Sequence, residues 1–355
     1  RQIVEASRKY NCIMQCGTQS RSSPSLHHAV AFVQSGKFGK IKYALGTCYK
    51  PRPSIGKLDS PLEIPDSIDY DLWCGPAEKR DLFRPKVHYD WHWDFNTGNG
   101  DMGNQGIHQM DIARWFLGEQ TLAPRVVSIG TRSGYDDAGD TPNTQVVYHD
   151  YDAAPLIFET RGLPTSKAGQ ERWRRNMDKF RGTGVGLIVQ CEQGYVLVPS
   201  YTDAMAYDLE GNLVNEWHGG GNHYENFLSA VAAGDASLLK GKIHEGHLSS
   251  SLCHTGGISH QLGEKMRYGD VAERVSHNER LSISLDRMAA HLRANDVEID
   301  REETLTLGPW LELDTQTEMF TNNDAANALR SREHQREPFA VADLERESRT
   351  VTAES

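Results

Sequence analysis

The 355-residue chain contains no apolar run near the roughly 18 residues that a membrane-spanning helix needs, which excludes a helical span. It also has no run of five like charges, and 38 Lys+Arg against 49 Asp+Glu leave a net charge of -11. That balance argues against nucleic acid or an anionic membrane as partner. No secretory signal or lipidation motif is legible at either end. The six cysteines are scattered, and Cys12 and Cys16 have three residues between them rather than the two of a redox motif, so buried thiols are expected instead of a disulfide framework. The zinc signature H-E-x-x-H is absent, although histidines gather at His244, His247, His254 and His260, and no metal site is expected. No G-x-G-x-x-G follows a strand-like run, as the dinucleotide fingerprint does; the string "GNGDMG" from Gly98 follows the proline- and aromatic-rich segment instead. "RGTGVGLIV" from Arg181 has its glycines before a β-like run, where a tight turn is the better reading. Finally, residue 1 is Arg, and "RQIVEASRKY" reads as the middle of a helix, so an N-terminal portion is expected to precede it.

The length favours two domains, or one domain with a large appendage. "CIMQCGTQ" is a short apolar run ended by Gly17 and reads as a buried strand. "SSPSLHHAVAFVQSG" reads as a helix: Ser23 sits at the N-cap, Pro24 at the first position, Gly36 past the end, and Leu26, Ala29, Val30 and Val33 on one face. "KIKYALGTCY" changes to period two, as a sheet strand does. From Pro51 to Asn99 the chain is rich in proline and aromatics, which reads as a functional loop region. Five strand-like runs follow between Arg125 and Asn215 at hairpin spacing, predicting a mostly antiparallel sheet. Helices return with "NHYENFLSAVAAG", "HLSSSLCHTGGISHQLG" and "SLDRMAAHLRAN", and the chain turns polar beyond Asp324.

The chemistry concentrates in "GNGDMGNQGIHQMDIARW", starting at Gly98. On a helix, Asn104, His108, Asp111 and Trp115 fall within about 60° of one another, opposite Met110, Ala113 and Leu117. An imidazole, a carboxylate, an amide and a large ring on one stripe suit a wet pocket better than bulk solvent. The bland reading makes Asn104 a cap, pairs Asp111 with Arg114 and leaves His108 a satisfied histidine. The glycine lead-in favours function, since something can approach its backbone closely. In "HYDWHWDF", His88, His92 and Trp93 read as the wall of a polar cleft on which a sugar-like ligand stacks.

Taken in order, "CGTQSRSSP", "GKFGKIKYALG", "DLWCGPA", the motif through "GIHQMDIARW", "ENFLSAVAAGD" and "GPWLELDTQTEMF" resemble the glucose-fructose oxidoreductase and inositol dehydrogenase (Gfo/Idh/MocA) family, in its bacterial branch with an enlarged C-terminal domain. The resemblance implies an α/β protein. Residues 1–35 would be the C-terminal remnant of an NAD(P)-binding Rossmann domain, 36–323 an α+β substrate and oligomerisation domain with an open, mostly antiparallel sheet, and 324–355 a polar wrapping tail. It implies hydride transfer between NAD or NADP and a sugar, cyclitol or related polyol, with His108 matching the family's catalytic histidine. Asn104 stands where relatives often carry aspartate, and asparagine orients by hydrogen bonds but accepts no proton. Asp111 matches a structural or substrate-side acidic residue, and Gln19 and Arg21 lie where cofactor or substrate would be contacted. A homo-oligomer with a small-molecule substrate is implied. A cytoplasmic location is expected, with export left open. The expected alternatives are a glycoside hydrolase of the same superfamily that holds NAD permanently, and a sugar-binding or oligomerisation module without catalysis. Without most of a Rossmann domain, this stretch by itself is expected to be inactive.

Overall fold

The computed structural model describes residues 1–332 and 335–341. It opens with α1 (Gln2–Lys9), a 3-10 turn at Gln19–Ser22 and α2 (Pro24–Gln34). Helix α2 follows the sequence reading: Pro24 starts it, Leu26, Ala29, Val30 and Val33 are buried, and Gly36 with φ +79° lies just beyond its end. The apolar run before it does not become a strand. Only an isolated bridge joins Gln15 to Lys242, and the Cys16 amide donates to the Gly241 carbonyl at 2.8 Å. A lone extended segment gains little without flanking strands, and among the described residues only the loop before the later helix offers it backbone partners.

Strand β1 (Ile41–Cys48) leads into the proline-rich segment, which holds one short helix, α3 (Tyr70–Cys74), and a 3-10 turn at Asp90–Trp93. Then come α4 (Gly100–Asn104), α5 (Gly106–Leu117), β2 (Arg125–Thr131), β3 (Thr144–Asp150) and β4 (Leu156–Arg161). Next are β5 (Val185–Cys191), β6 (Gly194–Val198), β7 (Ala204–Asp208) and β8 (Leu213–Trp217). The remainder is α6 (His223–Ala233), α7 (Ile243–Gln261), β9 (Glu264–Met266), α8 (Tyr268–Val275), α9 (Glu279–Arg293), β10 (Leu305–Leu307), β11 (Leu311–Asp314), β12 (Met319–Phe320) and α10 (Asp324–Ala328). The turn read in "RGTGVGLIV" is present: Phe180 and Thr183 pair across Arg181 and Gly182, both at positive φ, as a two-residue hairpin of the right twist requires.

One 12-stranded sheet runs in the order β12-β11-β2-β3-β4-β1-β5-β6-β7-β8, with β10 and β9 branching from β2. All neighbours are antiparallel except β1 and β4. Alternation along β1 separates two cores. Ala44 and Cys48 join α2, α5 and α7 on one face, whereas Tyr43 and Leu45 join α8 and α9 on the other. The middle of the sheet is therefore the centre of three layers, and its strands read as nearly continuous apolar runs. Four of the six cysteines (Cys48, Cys74, Cys191, Cys253) are buried thiols.

Helix α5 rides very close to the sheet. A Cβ on Gly106 would lie 2.8 Å from the Phe158 ring, and one on Gly46 would lie 2.9 Å from the Gln109 Cβ. That contact fixes the first turn of α5 over the end of β1. In the polar C-terminal stretch, Arg332 donates to Asn96, and Arg336 donates to Asp71 and to the carbonyls of Gly75 and Ala77, so its described part lies along the proline-rich segment. Residues 333–334 and 342–355 of the expected wrapping tail lie outside the described residues.

Candidate active site

The glycine-rich lead-in does not run into one continuous helix. Gln105, at φ -107°, separates α4 from α5, and its side chain is a junction. The Gln105 amide nitrogen donates to the Tyr201 hydroxyl at 2.7 Å and to Gln109 at 3.2 Å, while its oxygen accepts from the Lys50 ammonium at 2.6 Å. Lys50 lies two residues past the end of β1 and Tyr201 lies between β6 and β7, so two separate parts of the chain meet at the start of α5. His108, one turn further on, is half-buried with its ring centroid 5.1 Å from that of Tyr201.

No side chain among the described residues satisfies the His108 imidazole. Its Nδ1 is enclosed without a partner, and Nε2 has no protein hydrogen bond. Burial pushes its pKa below the ordinary 6.5; Asp111 opposes this, and the Lys50 charge adds to it. The neutral ring is thus the resting form at neutral pH, and that form can accept a proton.

Asn104 closes α4 and donates from Nδ2 to Asp101 Oδ1 at 3.1 Å. Asp101 is held on its other side by Arg52 in a two-pronged pair, Nε to Oδ2 and Nη2 to Oδ1, both 2.8 Å. The Arg52 guanidinium lies 5.3 Å above the Trp93 ring, and its Nη1 donates to the Tyr89 hydroxyl at 3.3 Å. An aspartate at 104 would set a second carboxylate against that of Asp101, which gives the asparagine a local reason.

Asp111 occupies a different setting. It is fully buried and accepts from Arg21 Nε at 3.0 and 2.8 Å and from the Ser249 hydroxyl at 2.7 Å. Glu245 on α7 sits 3.1 Å from Arg21 Nη2 and pairs with Arg114. Burial pushes the Glu245 carboxyl up, but Arg114 and Arg21 beside it pull it below its usual range. These side chains clamp α5 to α7 and to the turn before α2. The Arg21 guanidinium is therefore committed inside the protein, while Gln19 in the same turn is exposed.

The aromatic wall divides as well. Trp93 is buried beneath Arg52; His92 stacks on Trp91 at 3.7 Å and touches Tyr89; His88 is exposed. The structure therefore links Asn104 to Trp93 through Asp101 and Arg52, sets His108 beside Tyr201 at the start of α5, and leaves Asp111 and Arg21 on a separate cluster. Lys50, Arg52, Asp101, Gln105 and Tyr201 were not singled out from sequence. Asp101, Gln105 and His108 recur at helical spacing, and "YKPR" puts cations at a strand end, so four of these five had a local signal. Tyr201 had none.

The fold and site thus define an α/β domain that presents a half-buried histidine without a protein hydrogen-bond partner on a helix covering a largely antiparallel sheet. Residues 47–169 match the family model described as "Oxidoreductase family, C-terminal alpha/beta domain", of the Gfo/Idh/MocA type. This segment, from the last two residues of β1 through α5 and β4 to residue 169, is similar to that family's C-terminal domain. Among solved structures the chain is similar to the WlbA dehydrogenase from Bordetella pertussis in complex with NADH and UDP-GlcNAcA, at 14% identity and a TM-score of 0.44, over 71% of this chain and 61% of that one. It is also similar to an oxidoreductase from Thermotoga maritima, at 14% identity and TM-score 0.43, over 70% and 61%. A third is an oxidoreductase from Agrobacterium radiobacter in complex with NAD+, L-tartaric acid and magnesium, at 11% identity and TM-score 0.40, over 72% and 64%. The chain thus spans about three-fifths of the length of these structures. No curated protein matches it. No helix among the described residues is long and apolar enough to cross a membrane.

Proposed function

We propose that this chain supplies the substrate-binding half of a nicotinamide-dependent oxidoreductase acting on a sugar, cyclitol or related polyol, with His108 as the group that takes the hydroxyl proton. The observation that carries the reading is the neutral, half-buried His108 ring, whose Nε2 is free of protein partners. A base without an internal partner beside a cation is suited to a carbinol: the imidazole accepts the proton, and the Lys50 charge favours the oxygen as it becomes negative. Gln105 and Tyr201 hold the surroundings of the ring, and Asn104 orients through Asp101 without competing for the proton.

The described residues do not fit a dinucleotide. The G-x-G-x-x-G string from Gly98 to Gly103 follows no strand and is packed against the protein's own His92 and Thr141, Gln19 stands exposed, and Arg21 is paired with Asp111 and Glu245. In this reading the hydride donor or acceptor, NAD or NADP, is held by a Rossmann unit of which residues 1–35 are the closing part. This chain alone then gives a flat calorimetric titration with either dinucleotide, whereas the full-length protein binds one of them and turns over members of a polyol and sugar panel, followed at the nicotinamide absorbance. A full-length protein that binds nicotinamide yet is as active with His108→Ala as without it would remove His108 from the reaction.

A further inference from the structure

Arg52 also lines a cavity of about 770 Å3, within the roughly 300–1,000 Å3 usual for small-molecule sites. Its walls are mainly apolar, including Ile55, Leu62, Pro65 and Val87, with Trp93 and Arg52 on one side. Arg52 is shared between the two places. It lines this cavity, and through Asp101 it reaches Asn104, one turn from His108. Its charge is already matched by Asp101, so it offers little to an anion. Glu63, Lys86 and Asp90 also line the cavity, so the two acids outnumber the one lysine, which further disfavours an anionic occupant.

A second, independent observation lies in the backbone beside it. Tyr89 adopts φ 67° and ψ -42°, with the Asp90 amide donating to the His88 carbonyl at 2.9 Å, a γ-turn of the rare positive-φ form. A bulky residue held there costs on the order of 1–3 kcal/mol, and such strain gathers at ligand clamps. Here it sets the Tyr89 ring against His92 and Trp93 at the Arg52 wall.

We infer that this cavity receives an uncharged apolar or aromatic group attached to the sugar whose hydroxyl meets His108, so that the preferred substrates are glycosides rather than free sugars. The inference rests on the function proposed above. Its test compares 4-nitrophenyl with methyl glycosides of the same sugars, by calorimetric binding to the full-length protein. The 4-nitrophenyl compounds are expected to bind about tenfold or more tightly, from burial of the added ring. Leu62→Trp and Ile68→Trp, which fill the cavity, are expected to abolish that advantage while leaving methyl glycoside affinity and Tm unchanged. Equal affinities for the two series, or an advantage that survives both filled variants, would overturn the inference. The two readings fail differently. An aryl preference without nicotinamide turnover sinks the reaction and keeps the cavity, whereas turnover of free polyols with no aryl preference does the reverse.

Discussion

His108 and Asp111 stand three residues apart on α5, yet their surroundings are opposites. Asp111 is sealed from solvent and bonded by Arg21 and Ser249 inside a four-residue ionic cluster, whereas His108 is half-open and has no protein partner on either nitrogen. A group that is fully satisfied by its own protein has little left to offer a ligand. A titratable group left unsatisfied in a partly enclosed place is where chemistry is to be sought. In the function proposed above, the difference gives architecture to Asp111 and the reaction to His108, and substitutions at each can break that division.

The largest effect is expected at His108. His108→Ala should lower kcat/KM of the full-length enzyme by about 100- to 10,000-fold, the range of a lost general base, with an unchanged unfolding midpoint. Asp111→Ala should behave the other way. Removing one partner of a buried cluster leaves Arg21 and Arg114 short of countercharge, and a loss of about 3–5 kcal/mol is expected in urea unfolding. A loss below about 1 kcal/mol would mean that the cluster does not anchor α5. Between these, Asn104→Asp forfeits the hydrogen bond to Asp101 and sets two carboxylates together. A cost of about 1–3 kcal/mol is expected in the same unfolding measurement. A more stable variant would show that Arg52 neutralises both acids.

This contrast was only half legible beforehand. Strands β1 to β8 and helix α2 follow from period and proline placement, because local patterning there agrees with the packing, whereas α6 forms with Tyr224, Leu228 and Val231 exposed. The run before Gly17 failed as a strand because nothing local tells whether a neighbour will be present to pair with it. One continuous helix would put Asn104, His108 and Asp111 on a single stripe, but the break at Gln105 leaves Asn104 on α4, and the arrival of Arg21 from 90 residues away places Asp111 in another environment. Tyr201 comes to Gln105 from 96 residues away and could be found only from the fold. The glycine lead-in serves the protein's own packing. A Cβ on Gly98 would fall 2.5 Å from the His92 carbonyl oxygen, so the chain that approaches is its own.

The smallest effect expected is also the most specific to the site. His108 titrates below 6.5, chiefly through burial, with the Lys50 charge contributing in the same direction. As the base, it must be neutral, so kcat/KM should fall as pH drops through that lowered pKa and level off above it. Lys50→Met removes a positive charge that disfavours imidazolium, so the His108 pKa rises toward 6.5 and the acid limb moves to higher pH. Activity well above that limb should then report only the loss of Lys50 at the reacting oxygen. Lys50→Arg keeps the charge and should leave the limb in place, which separates charge from shape. A limb that stays put in Lys50→Met, or moves to lower pH, would show that the group setting the profile is not His108, and the division between its side of α5 and that of Asp111 would have to be redrawn.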